Sequence, residues 1–330
     1  MSAVLLSVED LYVRFRTYAG LVHAVNGISF EIQKGEVFGL VGETGCGKSV
    51  TSLALLRLIP PPGEIEAKRI NLGGDDLLSL DEAQMQRVRG KRIAMVFQDP
   101  TAGLNPVFSI NDQITGIIRH HEGLRKGKAE NLAKETLAAV GLPSPAEIMK
   151  MYPHELSGGM QQRVMIAMAL SSGAELLIAD EPTTALDVTI QAQILTLLIK
   201  LRETHGLSIL LITHNLGVVA QTCDRVGILY AGSLIEVGNT INVFQHMKHP
   251  YTRAMLAAVP QAESRGQRLV DIPGSVPSGL NPLLGCAYHP RCPHVMDICQ
   301  AEKPSLQVVG EGHTVACFLH IPSGDREAYN

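Results

Sequence analysis

EVFGLVGETGCGKSVTSLALLRLI, residues 36–59, reads as an apolar strand, a glycine-rich turn and a helical run stopped by Pro60-Pro61-Pro62-Gly63. Within it, Gly42-Glu43-Thr44-Gly45-Cys46-Gly47-Lys48-Ser49 fits G-x-x-x-x-G-K-S in the strand, turn and helix context that this pattern requires. Glycines let a backbone wrap an anion so that its N–H groups and the helix N-terminus point at phosphate. Lys48 is expected to neutralise charge on β- and γ-phosphates, and the Ser49 hydroxyl to ligate Mg²⁺. Cys46 falls at a variable position and reads as a small residue that the loop tolerates.

Outward from this unit, strands and helices alternate. LLSVEDLYVRF and HAVNGISFEI read as strands upstream, with a turn at Lys34-Gly35. Downstream, KRIAMVFQ at 91–98, ELLIAD and LSILLITH read as strands, the last two separated by a helix carrying Ile190, Ile194, Leu197, Leu198 and Leu201 at helical spacing. Strands joined by crossover helices imply a mostly parallel sheet covered on both faces. RVGILYAGSLIEVG reads as a hairpin turning at Ala231-Gly232, and beyond residue 250 periodicity fades while proline rises. The expected architecture is α/β: a P-loop NTPase core over 1–250 with an N-terminal antiparallel β subdomain, a helical subdomain inserted at about 99–165, and a small cysteine-containing extension over 251–330.

Leu176-Leu177-Ile178-Ala179-Asp180-Glu181 ends an apolar strand in two carboxylates, where α/β sheets place their ligands. Neighbouring strand residues point opposite ways, so the two carboxylates can do different work. Asp180 is expected to hold Mg²⁺ and Glu181 to polarise the attacking water as general base, while His214, ending the next strand, reaches toward the γ-phosphate.

Leu156-Ser157-Gly158-Gly159-Met160-Gln161-Gln162-Arg163 opens a helix and, alone, reads as an N-cap with a flexible start. Together with the phosphate loop, the acidic pair and the histidine, it resembles the signature sequence of ABC (ATP-binding-cassette) ATPases across about residues 5–250. That resemblance implies ATP hydrolysis by a head-to-tail dimer. Ser157, Gly158, Gly159 and Gln161 of one subunit would close over ATP held by the other's phosphate loop. Gln98 corresponds to the glutamine that contacts Mg²⁺ and water, and Ala185-Leu186-Asp187 to the segment that crosses the dimer interface. An aromatic residue of the early strands stacks on adenine in this family; Phe15 is the first choice here and Tyr18 the second.

The stretch HPYTRAMLAAVP at 249–260, followed by IPGSVPSGLNPLLGCAYHPRCPHVMDIC, resembles the tail of oligopeptide/dipeptide importer ATPases. Relatives with this tail also serve glutathione, nickel and oligosaccharides. The implied partners are a second ATPase subunit, two membrane permeases and an extracytoplasmic solute-binding protein, at the cytoplasmic face of the inner membrane. A repair or ribosomal ABC ATPase would carry a long coiled coil or tandem cassettes, and neither pattern is present.

Cys286, Cys292, Cys299 and Cys317 are spaced C-x₅-C-x₆-C-x₁₇-C. Clustered cytosolic thiolates suit a metal, and spacing wider than zinc-finger pairs favours an iron–sulfur cluster, with zinc and unmetallated packed thiols as the alternatives. The resemblance implies a [4Fe–4S] cluster at these positions. The formal charge of −4 gives no pull toward nucleic acid, and no apolar run reaches the roughly 18 residues of a membrane span.

Overall fold

The computed structural model describes residues 3–184, 186–259 and 271–321. They form two compact units, each assembled from separate stretches of chain. The first comprises 3–5, Ile32–Val37 and Leu77–Ile212; the second comprises Leu6–Glu31, Phe38–Asp76 and the described residues from Thr213 onward.

In the first unit, β7 (Ile93–Val96), β8 (Leu176–Asp180) and β9 (Ser208–Thr213) are parallel, pairing Ile93 with Leu176 and Leu176 with Ser208. Every residue of β8 and β9 is buried, as parallel strands covered on both faces require. The crossover helix Val188–His205 starts at an Asp187 cap that accepts the Ile190 N–H and stops at left-handed Gly206. It buries Ile194, Leu195, Leu197, Leu198 and Leu201. Ile190, expected on the same stripe, is instead half-buried and packs on Gly159, where a Cβ would lie 2.8 Å from its Cγ2.

The inserted helices are Ile110–Glu122, Lys126–Ala139 and Gly158–Leu170, which pack on one another. Ile110, Ile114 and Ile118 of the first and Ala129, Ala133 and Leu137 of the second recur every four residues and are fully buried, so a single face of each makes the interface.

The second unit holds an antiparallel sheet of β1 (Val4–Thr17), β2 (Gly20–Gln33), β5 (Arg69–Leu72) and β6 (Asp75–Asp76), with β4 (Gly63–Glu66) pairing on β1. It also contains β3 (Val37–Val41), which pairs in parallel with β10 (Arg225–Tyr230), and β10 turns back antiparallel into β11 (Ser233–Asn239). The turn residues Ala231 and Gly232 both have positive φ, 44° and 76°, the hand that a two-residue hairpin needs.

Two short strands continue this arrangement from the extension. β13 (His313–Val315) pairs antiparallel with β11, and β12 (Gln307–Gly310) with β13. Glu236 on β11, fully buried, accepts the Lys248 and His249 N–H groups at 2.8 and 3.0 Å and bonds His313 Nε2 at 2.8 Å. The ladder and the buried Glu236 carboxylate both tie the extension to its unit.

Candidate functional site

The phosphate loop lies in the second unit. Gly45 and Gly47 take φ of 81° and 104°, values an L side chain rarely adopts, and Gly47 leads directly into the helix Lys48–Leu55. Gly42 is excluded from carrying a side chain for another reason: a Cβ there would sit 2.1 Å from the Leu229 carbonyl oxygen and 2.7 Å from Cys46 Sγ. Thr44, Gly45 and Ser49 are exposed, whereas Lys48 is buried with Nζ donating to the carbonyls of Gly42 at 2.8 Å and Glu43 at 3.1 Å. The ammonium is therefore held over the loop by backbone oxygens. Cys46 is fully buried, and desolvation pushes its thiol up from the ordinary range, which fits a packing role.

The carboxylates lie in the first unit. Asp180 ends β8 and is buried. Glu181 leaves the strand with φ of +45°, a left-handed conformation unusual for a residue with a side chain, and its N–H is fixed by the Ile212 carbonyl at 2.8 Å. One oxygen of its carboxylate accepts from Thr184 Oγ1 at 2.9 Å and Gln98 Nε2 at 3.3 Å. Gln98 and Glu181, which sequence reasoning selects separately, are brought together, and Thr184 is a partner that it missed.

The signature stretch is also in the first unit. Ser157 caps the helix Gly158–Leu170 and accepts the Met160 N–H at 3.4 Å; Ser157 and Gly158 are exposed. Gln161 turns inward instead, donating to the Pro153 and Leu156 carbonyls at 2.8 and 3.2 Å, so its amide anchors the helix start. Asp187 is exposed at its own helix cap, and Ala185 lies outside the described residues. In the second unit, His214 is exposed on a tight turn made by Thr213 Oγ1, which accepts the Asn215 N–H at 3.0 Å. Phe15 is half-buried and packs over Gly63, its cross-strand partner, while Tyr18 is fully exposed.

All six cysteines are free. Cys286, Cys292, Cys299 and Cys317 line one small cavity with Tyr288 and Phe318. Burial pushes the Cys286 thiol up to about 12 and the Cys317 thiol up to about 11. As a donor set, four thiols suit a thiolate-bound centre. As arranged, the cavity measures about 10 Å³, the room of one water, and no group of three or more His, Cys, Asp or Glu among the described residues is placed to hold a metal ion. The iron–sulfur expectation has convergence of the thiols in its favour and nothing further.

Sequence reasoning also missed Tyr251 and Arg291. Tyr251 Oη accepts the Glu43 N–H at 3.1 Å, and Arg291 Nη1 lies 3.2 and 3.3 Å from the two Glu43 carboxylate oxygens. These contacts span 208 and 248 residues of chain, a separation at which no local pattern carries a signal.

Residues 25–184 match the family described as ABC transporter, and residues 235–299 match the oligopeptide/dipeptide transporter C-terminal region. The chain is 45% identical to the dipeptide transport ATP-binding protein DppD of Bacillus subtilis, over 95% of this chain and 94% of that one. It is 47% identical to the oligopeptide transport ATP-binding protein OppD of the same organism, over 98% and 90%, and 43% identical to DppD of Escherichia coli, over 97% and 98%. Among solved structures it resembles the ATP-binding cassette MJ0796 in a dimeric post-hydrolysis state with ADP and Pi, at 25% identity and TM-score 0.63 over 72% of this chain and 99% of that one. It also resembles cbiO1 of Clostridium perfringens, part of an ABC transporter complex, at 27% identity and TM-score 0.64 over 74% and 92%.

Proposed function

The chain belongs to the ABC transporter family of ATP-binding proteins, and from that premise we propose that it hydrolyses ATP to power the import of dipeptides or oligopeptides. The observation that carries the peptide assignment is the tail: residues 235–299 match the region described as the oligopeptide/dipeptide transporter C-terminal region, and relatives named for peptide transport align along almost the whole chain.

In the proposed reaction, water attacks the γ-phosphorus and ADP leaves. The phosphate-loop N–H groups and Lys48 bind the phosphate oxygens; the ammonium exchanges two backbone carbonyls for an anion. Glu181 takes up proton density from the attacking water, oriented for this by Thr184 and Gln98. His214 adds a donor near the γ-phosphate. The oxygens of Ser49, Gln98 and Asp180 are the hard donors that Mg²⁺ prefers, and the ion neutralises phosphate charge when bound. The exposed Ser157, Gly158 and Asp187, with Gly159, serve the nucleotide of a second ATPase subunit, and the pair docks on two membrane subunits at the cytoplasmic face, fed by an extracytoplasmic binding protein. No helix among the described residues is long and apolar enough to cross a membrane, which is compatible with a peripheral subunit.

We assign the four-cysteine site to a thiolate-bound metal centre, an iron–sulfur cluster before zinc, acting as a staple for a tail poor in apolar residues. The support is that the four cysteines line one cavity. Anaerobically purified protein lacking iron, sulfide and visible absorbance would remove the cluster from this reading.

Transport is tested in liposomes holding this subunit with its membrane partners. Peptide-loaded binding protein is expected to stimulate ATP hydrolysis; stimulation by another solute class, with peptides inert, overturns the cargo.

A further inference from the structure

We propose that Arg291, far along the chain in the C-terminal extension, is a positioning residue for ATP: by clamping Glu43 it holds the first turn of the phosphate loop in its receiving form, so that the extension sets nucleotide affinity. This rests on reading residues 42–49 as the ATP site.

Three polar groups of Glu43 are each occupied. Its N–H donates to Tyr251 Oη, its carbonyl accepts from Lys48 Nζ, and its carboxylate faces Arg291 Nη1 through both oxygens. One residue thus joins the lysine that will meet phosphate to a guanidinium supplied by the extension. Arg291 is itself immobilised. Its side chain is 5% exposed, Nε donates to the Pro273 carbonyl at 2.8 Å, Nη2 to the Ile272 carbonyl at 3.2 Å, and Nη1 also reaches Tyr230 Oη at 3.2 Å. The guanidinium lies 5.8 and 6.0 Å from the Tyr230 and Tyr288 ring centroids, and these two rings pack with Tyr251 at 4.6 to 5.4 Å between centroids.

Two physical consequences follow from that geometry. A buried guanidinium that loses its carboxylate is left uncompensated at high cost, so Glu43, and the loop turn it belongs to, cannot swing away while Arg291 is in place. A carboxylate inside a phosphate loop also repels the triphosphate, and Arg291 cancels that charge where it would act. Both effects act on ATP binding, upstream of the chemistry at Glu181.

The test is a double-mutant cycle on the full-length protein, with the ATP dissociation constant, KM and kcat as readouts. Arg291→Ala is expected to raise Kd and KM about tenfold, the equivalent of part of one charge-assisted hydrogen bond, with kcat changed less than about twofold. Arg291→Lys, which keeps the charge but loses the planar fork, is expected to lose about threefold and serves if the alanine variant does not fold. In a Glu43→Gln background, either substitution is expected to have less than about a twofold effect, because the partner it acts through is gone. A folded Arg291→Ala protein with wild-type ATP affinity overturns the proposal, as does a loss equally large in both backgrounds, which would mark Arg291 as merely structural. Wild-type protein that binds no ATP overturns the site reading itself, and is distinguishable from both.

Discussion

At the scale of single residues, Glu181 combines backbone strain with a prearranged carboxylate. Its left-handed φ, the Ile212 carbonyl on its N–H and the two donors on one oxygen leave little freedom of orientation. Replacing it by glutamine keeps size and removes basicity. Glu181→Gln is therefore expected to retain ATP binding, measured by equilibrium titration, while steady-state phosphate release falls by at least about a hundredfold. Near-normal turnover in that variant would transfer the general-base role elsewhere. Legibility at this scale was uneven. Lys48, Ser49, Asp180 and Glu181 could be singled out because each stands in a contiguous pattern, at a strand end or a helix start. Gln161 shows the opposite case: its place in the signature marks it for nucleotide, and its side chain is engaged by the Pro153 and Leu156 carbonyls.

At the scale of elements, the informative piece is the ladder that β13 makes with β11, with Glu236 beneath it. Removing that carboxylate strands two backbone N–H groups and a histidine nitrogen in a site without water access. Glu236→Ala is expected to cost about 3–5 kcal/mol, lowering the thermal midpoint by several degrees or more in a differential scanning calorimetry trace. An unchanged midpoint would show that the latch contributes nothing. Sequence reasoning found the core strands, the helices after the phosphate loop, the signature and the acidic pair, and a helical block at about 99–165, but not β12 and β13. A strand of three or four residues is shorter than the window in which alternation can be counted, and only the Gly310-Glu311-Gly312 turn hints at the hairpin. The short β4, β5 and β6 were missed for the same reason.

At the scale of the whole molecule, two properties emerge. His249 is 1% exposed, its Nδ1 accepts the Tyr251 N–H at 3.0 Å, and burial holds the ring down from 6.5 to about 3. The unfolded chain takes up this proton near 6.5 and the folded chain only near 3, so the unfolded state binds more protons in between. Stability from this group is complete above 6.5 and is lost as pH falls toward 3, about 2 kcal/mol of it between pH 7 and pH 5. Chemical denaturation at the two pH values should show the loss, and His249→Asn, which keeps a capping acceptor, should reduce it; equal losses in both proteins would assign it to other groups. The second is the exposure of the signature start and of the cap that follows the acidic pair. Ser157, Gly158 and Asp187 are exposed, and Val188 beside them is 84% exposed. Glu181→Gln with Mg²⁺ and ATP is expected to sediment at twice the monomer mass, and Ser157→Arg to abolish that shift. A protein that stays monomeric under these conditions requires a different, homologous partner.

The amino-acid sequence determined the α/β class and singled out the phosphate loop, the acidic pair and the signature, because each is written in a contiguous stretch whose periodicity, glycines and terminal carboxylates act locally. Tertiary structure alone decided what sits against Glu43. Tyr251 and Arg291 arrive there across more than two hundred residues, by way of a hairpin, a helix and a tail whose strands are too short to announce themselves. A contact of that kind is set by which surfaces exclude water together and by which buried charges find each other, and neither condition is encoded in the spacing of residues along the chain.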